Sequence, residues 1–204
     1  MKKSRLKAMI ILCLFACFLI LMFSQITYGE GSQKPSLYSN RALVDAAYKV
    51  LESIKDQDYV SLSQAVHPEK GVTFTPYSYI SDDDMRFSAE EIIQIETDGP
   101  SYEWGQYDGS GEPIIRTCRE YFARFVYNAD YIDAPVIGVN HIVHTGNSIE
   151  NVTDIYPEAQ FVEFHFPGVD PEYEGMDWCT LKLVFEQYGG SLTLVAVIHS
   201  EWTI

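Results

Sequence analysis

Hydrophobic and polar positions follow two different periods along this chain, and the period changes near Pro135. Before that residue, apolar side chains recur mainly at helical spacing, as Leu43, Ala47, Val50 and Ile54 do. After it, apolar side chains recur at every second position, which is the period of a strand with two different faces. The pattern therefore predicts helices first and a sheet last.

The first two helices have clear boundary signals. Asn40 can cap the helix that carries the apolar stripe, and this helix ends at the polar stretch 56–58. A shorter helix over 59–66 stops before Pro68, because proline disfavours helical geometry in the preceding residue. Both helices are predicted to pack through one face.

Two further helices are predicted from capping boxes, in which a Ser or Thr precedes a Glu by three positions. Ser88 with Glu91 begins a short helix, and Thr117 with Glu120 begins a helix that extends to about Asn128. The apolar residues of the latter helix form a stripe that suits packing on a sheet.

Strands are predicted mainly after Pro135, where Gly189-Gly190 indicates a hairpin between the last two runs. In the third of these runs Cys179, Leu181 and Leu183 share one face. The predicted strands are 72–75, the extended segment 102–107, and the four runs 136–145, 159–166, 178–188 and 192–204. Helices followed by an antiparallel sheet predict an α+β domain over residues 40–204, with the helices packed on one face of the sheet.

A leader precedes this domain. Basic residues at positions 2, 3, 5 and 7 are followed by an uninterrupted apolar run from Ala8 to Phe23 and then by a polar, small-residue stretch. These are the three parts of a secretory signal. Residues 1–29 are predicted to be a cleaved signal peptide or a retained membrane anchor, and 30–39 a linker. The domain is therefore expected outside the cytoplasm, secreted or membrane-anchored, touching a membrane only through residues 8–23 if the leader is retained.

Charge narrows the choice of partners. The formal net charge is −15, and the basic residues of the leader do not belong to the domain, which is more acidic still. Such a surface repels phosphate backbones, so no nucleic-acid partner is expected. The interpretation that remains is a small ligand or a protein of the cell envelope.

Several segments resemble a family of exported bacterial proteins without an established activity. The segments are HPEKGV at 67–72, YEWGQYDGSGEP at 102–113, FPGVDP at 166–171 and VIHSEWTI at 197–204. The order of elements, helices followed by a curved meander of long strands, also resembles the cystatin-like cone of NTF2-like domains. That resemblance implies a cavity between helices and sheet, but NTF2-like domains serve as enzymes, ligand-binding modules and scaffolds alike.

Histidines are the first catalytic candidates, because their protonation changes near neutral pH. His165 and His199 lie in apolar strands, and Asp177 lies at the end of another strand. If the strands pair in order, these residues could form a base oriented by a carboxylate, although separately placed polar residues are the better explanation because the strand register is unknown. His67 precedes a proline and can instead satisfy loose backbone groups.

Aromatic and acidic residues suggest two further kinds of site. Trp104, Tyr107 and Tyr121 can line a ligand pocket or simply fill the core. The loop with Asp108, Ser110 and Glu112 alternates oxygen donors with glycines as some calcium loops do, but a tight turn explains the same pattern. The run Asp82 to Asp84 is typical of a solvated loop.

Cys118 and Cys179 are the cysteines outside the leader, and an oxidising compartment permits a disulfide between them or leaves them as buried thiols. No nucleotide, metal or nucleophile motif occurs, so no cofactor is expected. The sequence therefore favours a non-enzymatic module that binds a small ligand or an envelope partner. The alternative is a small hydrolase or isomerase that uses a His/Asp pair.

Overall fold

The computed structural model describes residues 38–96, 99–168 and 170–203. The predicted leader 1–29 and most of the linker 30–39 lie outside the described residues. Within the described ranges, no helix has both the length and the hydropathy that a membrane crossing requires.

The first two helices begin and end close to the predicted positions. Helix α1, Asn40–Lys55, buries the apolar stripe predicted from its spacing, and α2 covers Tyr59–Ala65. The cap of α1 is Ser39 rather than Asn40, because the Ser39 side chain accepts the hydrogen bond from the N–H of Ala42. Asp58 caps α2 through the N–H of Ser61, which satisfies a backbone donor that the helix itself leaves free.

Both predicted capping boxes are present, but the second helix changes character. Ser88 caps α3, Ala89–Ile93, and Thr117 caps α4, Cys118–Tyr121. Instead of continuing as an α-helix to Asn128, α4 passes directly into a π-helix over Phe122–Val126. Short π-helical turns inside helices frequently occur at functional sites. A last short helix, α5, covers Val152–Ile155.

The strands are short in the first half of the chain and long in the last third. Their bounds are β1 Val72–Thr75, β2 Met85–Phe87, β3 Tyr102–Gln106, β4 Pro113–Arg116, β5 Val136–Val139, β6 Gln160–Phe166, β7 Cys179–Tyr188 and β8 Ser191–Glu201.

Six of these strands form one sheet in the order β2-β1-β8-β7-β6-β5, while β3 and β4 form a separate hairpin. All neighbours in the large sheet are antiparallel except β1 and β8, which run parallel. The β7–β8 turn is Gly189-Gly190, and both glycines have positive φ as the predicted hairpin requires. The α+β class, with N-terminal helices on a curved, largely antiparallel sheet, is confirmed.

The predicted strand 136–145 is wrong beyond Val139. Asn140 has a φ of 51°, a left-handed conformation that ends the strand. Its side chain then accepts a hydrogen bond from the N–H of Phe161 at 2.9 Å, so the backbone turns away at the end of β5. Residues 140–151 form a loop instead, hereafter the covering loop.

The large sheet has two buried faces. The inner face carries side chains such as Phe164, Leu181 and Leu183, which belong to the main core with the helices. The outer face carries their alternating neighbours, such as Glu163 and Lys182, and a smaller apolar cluster. Part of the outer face is covered by Val152 of α5 and by residues of the covering loop.

Candidate functional site

The predicted His/Asp arrangement does not form, because its histidines lie on opposite faces of the sheet. In the strand register His165 pairs with Thr180, and Thr180 pairs with Ser200, so these side chains share the outer face. His199 is the neighbour of Ser200 and pairs with Leu181 on the inner face. A sheet separates the two imidazoles.

Asp177 also has a local role. Its Oδ2 accepts a hydrogen bond from the backbone N–H of Asp170 at 2.8 Å, which closes the loop between β6 and β7. The prediction that Asp177 orients a histidine base is therefore wrong for this structure.

His199 is 1% exposed and faces the ring of Phe125 in the π-helix at 5.5 Å. Its Nδ1 lies 3.0 Å from the carbonyl oxygen of Pro76, an acceptor, so Nδ1 carries the proton. Burial lowers the pKa of His199 to about 4, although the charge of Glu201 opposes the shift. The imidazole is thus neutral at ordinary pH and supports the chain after β1.

His165 contacts another histidine on the outer face. Its ring stacks on His144 of the covering loop at a centroid distance of 5.2 Å, and His144 also meets the edge of Trp178 at 4.4 Å. Burial, followed by the charge of His144, lowers the pKa of His165. These contacts fasten the covering loop to the sheet.

His67 has the structural role that its position before a proline indicated. Its Nδ1 accepts hydrogen bonds from the N–H groups of Glu69 and Lys70, at 3.2 and 3.1 Å. The ring edge packs against Tyr188. The imidazole therefore closes the turn before β1.

The disulfide is absent, since Cys118 and Cys179 are both free thiols. Cys118 lies beside Met85 and Tyr102, whereas Cys179 begins β7 near Tyr131. Burial raises the pKa of both thiols, which keeps them protonated and unreactive.

Of the predicted ligand-binding aromatics, two are core residues. Trp104 is fully buried and stacks on Tyr121, with ring centroids 3.7 Å apart and planes at 9°. Tyr107 differs, because it lines a cleft. The core explanation therefore holds for the Trp104 and Tyr121 rings, whereas Tyr107 both packs against the core and lines the cleft, so ligand binding by Tyr107 stays a prediction.

We call this cleft the tyrosine cleft. It has a volume of about 940 Å³ and lies between the loop after β1 and the β3–β4 hairpin, with Ser148 of the covering loop at its margin. Its lining contains three tyrosines and four acids: Tyr77, Tyr79, Tyr107, Asp83, Asp84, Glu103 and Asp108. No lysine, arginine or histidine lines it in the described part of the chain.

Hydrogen bonds fix the walls of the tyrosine cleft relative to each other. The Tyr77 hydroxyl accepts from the N–H of Asp108 at 3.3 Å, across the two walls. On the outer side, the Asn151 side chain makes two hydrogen bonds of 2.9 Å with the backbone of Ile80. The cleft is consequently preformed rather than dependent on a ligand to assemble it.

Asp84 is the unusual carboxylate of the cleft. It is half-buried, and its Oδ2 accepts from the N–H of Ser81 at 2.8 Å. Burial raises the pKa of Asp84 to about 6, against the lowering effect of its hydrogen bonds with Ser81 and Thr75. The prediction that the run Asp82 to Asp84 is a fully solvated loop is wrong at this residue.

The Tyr121 hydroxyl is a second unusual group. Tyr121 is 1% exposed, and its hydroxyl has no hydrogen-bond partner. Burial is the main cause that raises the pKa of Tyr121. The charges of Asp84 and Tyr77, which both line the cleft, raise it further. Tyr121 is a core residue and is not among the residues that line the cleft.

The proposed calcium donors are used locally. Asp108 Oδ1 accepts from the N–H of Gly109 and Ser110 Oγ from the N–H of Glu112, which shapes the β3–β4 turn. In the described ranges no group of three or more His, Cys, Asp or Glu residues is arranged to hold a metal ion.

The sequence did not predict the buried ion cluster that lies on the outer face. Lys182 is 2% exposed and pairs with Glu150 of the covering loop, and its Nζ lies 3.6 Å from Oε2 of Glu163. Burial raises the pKa of Glu163, and Lys182 counteracts that shift. The alternation of β7 gave no signal for this cluster, because a lysine on the second face of a strand is typical of solvent exposure.

The chain matches no family model and no curated protein. Similar solved structures include an NTF-2 like protein of unknown function from Shewanella oneidensis MR-1, with 10% identity, a TM-score of 0.34, and coverage of 79% of this chain and 98% of that one. Another is a putative calcium/calmodulin dependent protein kinase II association domain from Xanthomonas campestris, with 9% identity, a TM-score of 0.36, and coverage of 82% and 90%.

A third similar structure is naphthalene 1,2-dioxygenase with indole bound in its active site, with 7% identity, a TM-score of 0.29, and coverage of 81% of each chain. An NTF2-like protein is thus among the solved structures similar to this chain, as the resemblance in the sequence implied. At these identities and TM-scores, the similarities carry no argument about activity.

Proposed function

We propose that this chain is a non-enzymatic binding module that holds a small ligand in the tyrosine cleft. The observation that carries the proposal is the cleft itself, a preformed concavity of about 940 Å³ with aromatic rings and carboxylates on its walls. Concave sites of several hundred cubic ångströms with a few convergent polar groups are typical of small-ligand binding.

Binding is favoured over catalysis by the chemistry of the lining. A hydrolase or isomerase needs a base within hydrogen-bond reach of a nucleophile or substrate proton. Among the described residues, the bases that line the cleft are carboxylates, and neither histidine nor cysteine nor lysine lines it; the Oδ2 of Asp84 already accepts a hydrogen bond from the N–H of Ser81. The candidate bases His165 and His199 lie on opposite faces of the sheet, and both are occupied in packing.

A small molecule suits the cleft better than a protein of the cell envelope. The cleft is concave, and internal hydrogen bonds such as that from the N–H of Asp108 to Tyr77 hold its walls. The site that we propose acts outside the cytoplasm, either released or held at a membrane by residues 1–29. This part of the proposal rests on the leader sequence.

A ligand screen with two matched tyrosine variants tests the proposal. Tyr79 lines the cleft and is 54% exposed, whereas Tyr173 is 55% exposed and is not among the lining residues. The full-length chain would be screened against a library of small metabolites by thermal shift and native mass spectrometry. For each hit we expect the Tyr79→Ala variant to bind at least about tenfold more weakly, a loss of about 1.4 kcal/mol, and Tyr173→Ala to bind unchanged.

Hits whose affinity is the same in both variants would contradict the proposal, as would a library screen without any hit.

A further inference from the structure

We infer that the middle of the covering loop, residues 141–149, is a latch that opens in acid and uncovers Trp178 on the outer face of the sheet. Ser148 belongs to the same stretch and lines the tyrosine cleft, so opening also removes one residue from the margin of that cleft. The latch needs no ligand in the cleft, so it goes beyond the proposed function.

The covering loop is fixed at both ends. Asn140 bonds to the backbone of β6 at one end, and Asn151 bonds to the loop after β1 at the other. Between them, residues 141–149 form neither helix nor strand, and most of them are exposed. Side chains hold this stretch to the body of the domain, as Asn147 does by donating to the carbonyl oxygen of Thr203 at 3.0 Å. The middle can therefore leave the sheet while both ends stay attached.

Trp178 is the residue that the latch covers most closely. Its side chain is 5% exposed, and the ring of His144 meets it at a centroid distance of 4.4 Å. The backbone of the latch also runs directly over the indole, since a Cβ on Gly146 would lie only 2.8 Å from the Trp178 ring. Opening of the latch would expose this indole to solvent.

The closed latch leaves two buried polar atoms unsatisfied on the sheet beneath it. His165 is 5% exposed and Glu163 is 1% exposed. The Nδ1 of His165 and the Oε2 of Glu163 have no hydrogen-bond partner within the described ranges. A buried polar atom without a partner costs free energy, and water would satisfy both atoms once the latch has left. The closed state is thus held against a cost that opening removes.

The stacked histidines make the latch sensitive to protons. The rings of His144 and His165 are 5.2 Å apart with planes at 18°, and His144 is exposed while His165 is buried. A proton on the accessible His144 ring places a positive charge beside His165, so a second proton in the closed latch meets both burial and a like charge. Burial, followed by the charge of His144, lowers the pKa of His165 accordingly.

Opening relieves both effects, because His165 then reaches water and titrates near the ordinary histidine pKa of about 6.5. Below that pH the open latch binds more protons than the closed one. Acid therefore shifts the equilibrium toward the open latch.

The other charges around His165 come from neighbouring strands and from the covering loop. They are Glu163 of β6, Lys182 of β7 and Glu150 of the loop. The flanking strands contribute no charge beside it, since Val136 of β5 pairs with His165 and Ser200 of β8 pairs with Thr180. Glu201 and Asp177 lie at strand ends and are bonded to an arginine of the π-helix and to a backbone N–H, respectively.

Glu163 responds to acid in the opposite sense. Burial raises its pKa, so protonation would remove an unfavourable buried charge from the closed latch. Lys182 counteracts this shift, and carboxylates titrate at lower pH than histidines. The histidine effect therefore comes first as the pH falls below about 6.5.

Acrylamide quenching of Trp178 fluorescence tests the latch. The full-length chain would carry Trp202→Phe, which removes an exposed tryptophan, and the remaining Trp104 is fully buried in the core. Between pH 7.5 and pH 5.5 we expect quenching to rise at least about twofold while the far-ultraviolet circular dichroism stays constant, because only the latch opens.

Three variants in this background assign the response to the stacked pair. His165→Phe keeps a ring against His144 and removes the titration, so its quenching should not change with pH. His144→Gln alters an exposed position and removes the like charge, and its rise at pH 5.5 should be at most about half that of the parent. The control is His141→Asn, which removes an exposed histidine of the same loop and should behave like the parent.

Constant quenching of the parent between the two pH values would overturn the inference. A rise in His165→Phe as large as that of the parent would overturn it as well, and if that variant does not fold, an undiminished rise in His144→Gln decides in the same way. Loss of circular dichroism in step with the quenching would show that the domain unfolds as a unit and has no latch.

Discussion

The two faces of the large sheet are both buried, but they are built from different chemistry. On the inner face Leu181 and Leu183 are fully buried among apolar side chains. On the outer face Lys182 and Glu163 are 2% and 1% exposed, and their burial depends on charge pairing. Apolar packing tolerates small shifts, whereas a buried ion pair requires defined geometry. The comparison shows that one strand can have an apolar and an ionic buried face.

The outer face matters to the tyrosine cleft because the same covering loop connects them. Glu150 of this loop pairs with Lys182, and the next residue, Asn151, holds Ile80 in the loop after β1. Ser148 lines the cleft directly. The ionic face thus positions one margin of the tyrosine cleft, while the apolar face stabilises the body of the domain.

The largest effects on the free energy of unfolding are expected at the adjacent residues Leu181 and Lys182, which lie on opposite faces of the sheet. Leu181→Ala should lower the free energy of unfolding by about 2 to 5 kcal/mol through loss of apolar packing. Lys182→Met should lower it by about 3 to 5 kcal/mol at pH 7, because Glu163 and Glu150 then lose their countercharge. Urea denaturation at pH 7 and pH 5 measures both.

The two losses should respond differently to pH. The pKa of Glu163 is raised by burial, and without Lys182 it rises further, so protonation at pH 5 removes the uncompensated charge and restores stability to Lys182→Met. The Leu181→Ala loss involves no titrating group and should stay constant. A Lys182→Met loss that is equally large at pH 5 would show that the outer face depends on packing instead.

A smaller effect is expected at His199 on the inner face. Because its pKa is lowered to about 4, the folded state binds fewer protons than the unfolded state between about pH 4 and 6.5, and stability falls as the pH falls through that window. His199→Asn keeps a donor for the Pro76 carbonyl and removes the titration. Between pH 7 and pH 4.5, the free energy of unfolding of the variant should decrease by about 2 kcal/mol less than that of the parent. Parallel stability curves for the two proteins would contradict this.

The smallest effect is expected at His165 on the outer face. Its pKa is lowered by burial and by His144, so it also stabilises the fold above its ordinary titration range and loses that contribution as the pH falls. His165→Phe keeps a ring against His144 and Trp178. As the pH falls, the free energy of unfolding of the variant should decrease less than that of the parent, and the difference should be under about 1 kcal/mol. A larger change than that of His199→Asn would contradict the expectation that the buried histidine of the inner face contributes more to the loss of stability in acid.

Local signals in the sequence were sufficient for most elements. The stripe of Leu43, Ala47, Val50 and Ile54, the capping boxes at Ser88 and Thr117, and the glycine hairpin all predicted what the structure contains. Each depends on residues a few positions apart. Strand β5 was predicted too long because the left-handed Asn140 is stabilised by Phe161, a contact over 21 positions.

Long-range arrangement explains what the sequence could not predict. The separation of His165 from His199 depends on strand register, and the burial of Lys182 depends on a loop that crosses from β5. For the cleft, Tyr107 was a candidate, but Tyr77 and Asp84 were not. Three consecutive acids are typical of a solvent-exposed loop, and only the folded structure shows that Asp84 is half-buried.

The position of β8 between β1 and β7 determines when this fold can be completed. Until residues 191–201 are synthesised, β2–β1 and β7–β6–β5 are disconnected groups of strands, each with an unpaired edge. The sheet therefore closes in one late, non-local step. A chain that still lacks this strand cannot form the native sheet, and the edges of β1 and β7 that β8 pairs with stay open until then.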